Sequence, residues 1–220
     1  MAKIIADGLG IKLHGKAGNS VFVETIYGTV LRPRTTPANP KTPAQEAART
    51  RLASASAAFI ALSPANRLLW INYAAGVFIQ DKRGGLPHPA RPQTVFNGLA
   101  AKYLQVHPGG AIPQTPPTSP FFGDSVTVTA AGGTGHITFT ASAANGANVV
   151  TELLLQPLAH LSRAPKPNLY RPVSFAHFAA GSLSFSASVA PGAYAPAFRF
   201  VNSLTGQQTD LVRLAAVLVT

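Results

Sequence analysis

The sequence predicts an α+β chain: an extended basic N-terminal arm with a small hairpin, a segment of about three helices, and an all-β antiparallel sandwich. Three observations carry this. Apolar residues recur every three or four positions between residues 42 and 106 but every second position beyond 120, so the period changes from helical to strand-like. Prolines and glycines crowd residues 107–120, where they leave a stiff stretch that joins neither a helix nor a ladder. Charge is segregated: residues 1–110 hold thirteen Lys or Arg against four acids, a net +9, while residues 111–220 hold five against three, a net +2. The predicted organisation is therefore an arm over 1–41, a helical docking region over 42–106, a linker over 107–120 and a β-sandwich over 121–220.

Within the arm, VFVETIYGTVL (21–31) is the best strand, and GKAGNS (15–20) reads as a turn. Pro33, Pro37 and Pro40 hold RPRTTPANP away from helix, since each lacks a backbone donor and biases its predecessor toward extended geometry. Such a segment is expected to lie along a partner.

The helical region opens at NPKTPAQEAAR (39–49). Thr42 is placed to accept from the first turn's free N–H groups, Pro43 suits the first helical position, and Gln45 sits where a capping-box side chain reaches back. Ala44, Ala48, Leu52, Ala55, Phe59 and Leu62 then trace one face, with Arg49 and Arg51 projecting elsewhere. Ser63 and Pro64 repeat the start signal, and Leu68, Ile71, Ala75 and Phe78 mark the expected face of a second helix. QDKRGGLPHPARPQ reads as loop, and Thr94 as the cap of a third helix ending near Val106, with Val95, Leu99 and Tyr103 on one face. Trp70, the only tryptophan, reads as a core residue or a docking anchor rather than a ligand platform.

Seven β-rich runs follow: SVTVTAAGG, HITFTASA, VVTELLLQPL, RPVSFAHF, SLSFSASV, AYAPAFRFVN and DLVRLAAVLV. Val126 and Val128 alternate with Thr127 and Thr129, Ile137 and Phe139 with Thr138 and Thr140, and Leu183 and Phe185 with Ser184 and Ser186. Seven short strands in about 100 residues are the pattern of a small sandwich with hydroxyl residues outside. Gly132–Gly135 falls between two of these runs and reads as a hairpin turn.

Catalytic chemistry finds little support. The seven acids stand apart in sequence, the six histidines show no metal-ligand spacing, and no nucleophile elbow or phosphate loop occurs. Without cysteine there is neither a disulfide nor a thiolate metal site. The chain is thus read as a non-enzyme with no cofactor and no metal. Lys12 and Lys16 interrupt any apolar leader core, and no run of about 18 apolar residues exists, so no membrane partner is expected. The balance of +11 instead suits an acidic protein surface or nucleic acid.

The N-terminal motifs resemble those of a group of phage and prophage proteins. They are GKAGNSVF (15–22), the basic Arg32–Arg34 segment, NPKTPAQEAAR (39–49), the helix start Leu62–Trp70 and the element Thr94–Asn97. The resemblance covers about the first 100 residues, and the group often ends in a fibronectin-type-III-like β domain, which residues 118–220 resemble in strand pattern, an Ig/fibronectin-III-like sandwich. It implies a virion structural protein assembled in the host cytoplasm, an accessory capsid or tail component that associates with capsid or tail subunits in a symmetric lattice. Arg32, Arg34, Lys41, Arg49, Arg51 and Trp70 are the expected docking residues. Two alternatives remain at this stage. One is a packaged nucleic-acid-binding protein using Lys12, Lys16, Arg32, Arg34 and Lys41. The other is a carbohydrate-binding adhesion module, for which the C-terminal half offers Tyr170 and Tyr194 but no tryptophan.

Overall fold

The computed structural model describes residues 2–7, 10–25, 28–36, 39, 41–80 and 86–220. Two compact units emerge, Met1–Pro43 and Ala44–Thr220. The boundary thus falls at the arm's end. Segment 107–120, expected to separate helices from sandwich, lies inside the second unit because it is packed there: Trp70 Nε1 donates to the Gln114 carbonyl at 2.9 Å, and Gln207 Nε2 to the Ser119 carbonyl at 3.1 Å.

The first unit is an antiparallel meander of β1 (Ala2–Asp7), β2 (Gly10–Ala17), β3 (Ser20–Thr25) and β4 (Gly28–Pro33), in that order. The expected turn at 15–20 is the β2–β3 hairpin. Ala17 pairs with Ser20, leaving Gly18 and Asn19 as a two-residue turn in which Gly18 takes the left-handed φ of +57°. The stretch predicted as one strand over 21–31 is instead two, paired from Ser20↔Pro33 to Thr25↔Gly28. Glycine 28 lets the chain reverse, so the arm is a four-stranded sheet and not an extended chain with a single hairpin. The expectations for Pro37, Pro40 and residues 81–85 of the connecting loop lie outside the described residues.

The second unit begins with α1 (Pro43–Ile60), α2 (Pro64–Ala75) and α3 (Pro92–Val106). Helices α1 and α2 start at the predicted prolines, and Ser63 Oγ accepts from Asn66 N at 3.2 Å. Helix α3 starts two residues before the expected cap. Pro92 takes the first position after Arg91, so Thr94 is inside the helix and not its cap. A two-residue ladder pairs β5 (Phe78–Ile79), where the second helix is expected to end, with β6 (His88–Pro89) in the predicted loop.

The helical core comprises Ala55, Leu62, Trp70, Phe96 and Ala100, with Phe59, Tyr73, Leu99 and Ile112 against it. Trp70 and Phe96 meet edge-to-face at 4.9 Å between centroids. The buried faces differ from those expected. Helix α2 turns Trp70 and Ala74 inward, leaving Leu68, Ile71 and Ala75 exposed, because the large aromatic ring takes the interior stripe; Phe78, expected on the same helix, lies beyond its end in β5. On α1 only the C-terminal half is covered: Ala55 is buried and Phe59 half-buried, while Ala44, Ala48 and Leu52 are exposed. On α3 the buried apolar positions are Phe96, Ala100 and Leu104, with Val95, Leu99 and Tyr103 half-buried at their flank.

The sandwich places β7 (Val128–Gly132), β8 (His136–Ala141) and β11 (Ser184–Ser188) in one sheet of order β11-β8-β7. The other runs β10 (Arg171–Ala176), β9 (Val149–Leu158), β12 (Gly192–Asn202) and β13 (Val212–Arg213), with β14 (Val217–Val219) also on β12. The seven predicted runs are all present, the last one split between β13 and β14, and Gly132–Gly135 turns between β7 and β8. Val126, Val128, Ile137 and Phe139 face the main core with Leu153, Leu155, Phe198 and Phe200, and Thr127, Thr129, Ser184 and Ser186 are exposed, as the alternation predicts. The outer side of the larger sheet is covered too: Leu154, Leu158, Ala193, Ala195 and Ala197 form a second cluster under Tyr170. Among the described residues no helix is long and apolar enough to cross a membrane.

Helices and sandwich meet where the loop after β12 presses on α3. Gly206 has a φ of +75°, and a Cβ there would stand 2.2 Å from the Leu99 carbonyl oxygen. Gly181 shares the left-handed conformation, φ +86°, but has open space around it. Gly181→Ala is expected to lose about 1 kcal/mol from backbone strain alone, and Gly206→Ala clearly more, about 2 kcal/mol or above, in urea unfolding.

Candidate docking site

In the first unit the basic residues are organised by register. Lys16 pairs with Val21, and Val21 with Arg32. Directly paired residues project from the same side of a sheet, so Lys16 and Arg32 flank Val21 at about two strand spacings, roughly 10 Å. Arg34 follows two residues on and shares the phase of Arg32, and its N–H extends the ladder to the Asn19 carbonyl at 2.8 Å. Lys12 lies in β2, opposite Ile5 of β1. Every residue of the edge strand β4 is exposed, including Val30 at 48% and Leu31 at 57%. Lys41 is exposed just ahead of α1, with φ +48°.

The remaining expected docking residues belong to the second unit and diverge. Arg49 is exposed and Arg51 half-buried. Trp70 is only 2% exposed, so it cannot dock a partner, and its indole N–H is already used inside the unit. The tyrosines considered for sugar stacking are packed also: Tyr170 is buried, and Tyr194 is half-buried against the main core, its hydroxyl donating to the Ala190 carbonyl.

Sequence reasoning passed over an ionic centre. Glu152 on β9 is fully buried, and its carboxylate accepts from Lys102 Nζ of α3 at 2.9 and 3.0 Å and from Arg199 Nε of β12 at 2.5 Å. Glu152 and Arg199 are cross-strand partners, so the register places them side by side. Lys102 also donates to Gln105 Oε1 at 2.7 Å and lies 5.6 Å from the Phe175 ring centre. Burial holds the Lys102 ammonium below the usual lysine range, the Glu152 carboxylate opposes this, and Arg199 and Arg51 add to the depression. A glutamate within the apolar run VVTELLLQPL was the available signal, since a charge there needs a buried counter-ion.

Beside this centre runs a groove of about 550 Å³ between α1 and β10. Ala47, Thr50, Arg51 and Ser54 form one wall, Pro172, Val173, Ser174 and Phe175 the other, and Leu104 and Gln105 contribute from α3. Among the described residues no cluster of three His, Cys, Asp or Glu is arranged to hold a metal.

No protein-family model matches this chain, and no curated protein matches it. Among solved structures, the chain is similar to the crystal structure of chicken CNTN1 FN1-FN3 domains, at 14% identity and a TM-score of 0.32. The match covers 65% of this chain and 42% of that one.

The ionic centre makes a prediction about order. Glu152→Gln strands the buried Lys102 and the half-buried Arg199 and is expected to lose about 3–5 kcal/mol in denaturant unfolding. Lys102→Met keeps the Glu152–Arg199 pair and the alkyl volume, so its loss should be smaller; the reverse order would contradict the assignment of Glu152 as the hub.

Proposed function

We propose that this protein is a non-enzymatic structural component of a virion, an accessory capsid or tail protein that docks by its basic N-terminal sheet. The observation that carries the docking is the composition of β4. Val30 and Leu31 are exposed on an edge strand alongside Arg32 and Arg34. A phosphate backbone gives these apolar side chains nothing to bury against, whereas a protein surface with acidic and apolar groups matches both kinds. The exposed apolar residues Leu68, Leu69 and Ile71 on α2 support the same reading. The virion setting rests on the phage-like motifs of the first 100 residues. The sandwich is read as fibronectin-type-III-like, since its first, second and fifth strands face its third, fourth, sixth and seventh.

The test is incorporation into purified particles. The full chain carrying Lys16→Glu, Arg32→Glu and Arg34→Glu should be present in at least tenfold fewer copies per particle, with an unchanged thermal midpoint. Wild-type copy number in that variant would overturn the reading. Salt-titrated binding to double-stranded DNA addresses the nucleic-acid alternative: a weak, flat response is expected, and a steep loss of affinity with salt would transfer the basic face to phosphate.

A further inference from the structure

The groove between α1 and β10 has features that the docking sheet does not explain. Four consecutive strand residues, Pro172 to Phe175, line it. A cavity over one face of a regular strand meets alternate residues; a wall of four in a row, on a strand whose register shifts at Val173, fits a groove that runs along the strand's edge. Strand β10 is the terminal strand of its sheet, bonded to β9 on one side. Its other side turns alternate N–H and C=O groups outward. The opposite wall, Ala47, Thr50, Arg51 and Ser54, has the i, i+3, i+4, i+7 spacing of a single helix face. Helix and strand edge thus enclose a volume typical of ligand sites.

The electrostatics are unbalanced. Arg51 is the one charged group lining the groove, and among the described residues no carboxylate pairs with it. Below it, Lys102 and Arg199 share the single carboxylate of Glu152. Three cations face one acid, so the groove is short of negative charge. Pro172 lacks an N–H, and the register with β9 shifts between Pro172 and Ser174. Strand addition is therefore confined to the Val173–Ala176 end, a stretch of about four residues.

We propose that this groove takes a short extended peptide segment of a protein partner, added as a strand on the free edge of β10, with a carboxylate of that segment on Arg51. Backbone pairing supplies the affinity and Arg51 the preference for an acidic residue. Because every lining residue lies in the second unit, the proposal stands independently of the basic sheet.

The probe is a fluorescein-labelled ten-residue peptide of alternating Val and Thr with a central Glu, titrated into the full-length protein by fluorescence anisotropy. Replacing its Glu by Gln should weaken binding about tenfold. Arg51→Gln in the protein should remove that difference. Two N-methylated peptides, modified at alternate residues in opposite phase, should diverge: one phase binds like the parent, the other loses at least tenfold. Amide chemical shifts on adding the parent peptide should move at Thr50, Ser54 and Ser174, a readout that does not depend on any variant folding. Equal binding of Glu and Gln peptides, equal binding of both N-methylated peptides, shifts centred elsewhere, or no binding at all would each overturn the proposal.

Discussion

Burial of the Glu152 carboxylate is the constraint from which the arrangement of the second unit follows. An ionised carboxylate removed from water is tolerated only when charge and hydrogen bonds replace the lost solvation. Glu152 obtains them from two directions: Arg199 along the sheet and Lys102 from the helix above. The first partner fixes β9 against β12, and the second fixes α3 against the sheet. Apolar contact alone would let α3 slide across a surface of leucines and alanines, whereas a three-membered ionic contact has a single position of good geometry. The exchange is a cost in solvation for uniqueness of docking.

That docking explains why the two sheets obey different patterns. The β11-β8-β7 sheet has one free face, and β8 and β11 alternate between core residues and Ser or Thr. Strand β9 lies under α3 and the Tyr170 segment as well as over the main core, so it is buried almost throughout, with Leu153, Leu154 and Leu155 in succession. The proline-rich stretch after α3 follows from the same contact. It has to return across the helices to reach β7, and it does so tied at Gln114 and Ser119, with Ile112 on the helical core.

Local chemistry was legible in the sequence and tertiary choice was not. Pro43, Ser63–Pro64 and the Gly132–Gly135 turn act through their own backbones, and each is found where the sequence puts it. The face of α2 was not, because that helix carries two apolar stripes, Leu68/Ile71/Ala75 and Trp70/Tyr73/Ala74, and periodicity treats them alike. Only the presence of Phe96 decides for Trp70. Thr94 misled because a good capping residue two positions past a proline competes with the proline itself. At the candidate sites, Arg32, Arg34 and Arg51 were visible as charges. The pairing of Lys16, Val21 and Arg32 and the openness of β10 depend on strand order, which no local pattern encodes.

The edge of β10 shows how such a strand can be left open safely. An unpaired edge is a template for any other strand, including one from another copy of the same chain, and proteins usually blunt it. Here Pro172 and the register shift disable the first part, and α1 stands opposite the remainder. Arg51 restricts entry further, since a basic segment like residues 32–34 of another copy would meet like charge. Helix, proline and arginine together turn an aggregation-prone edge into one that is partly covered and discriminates by charge.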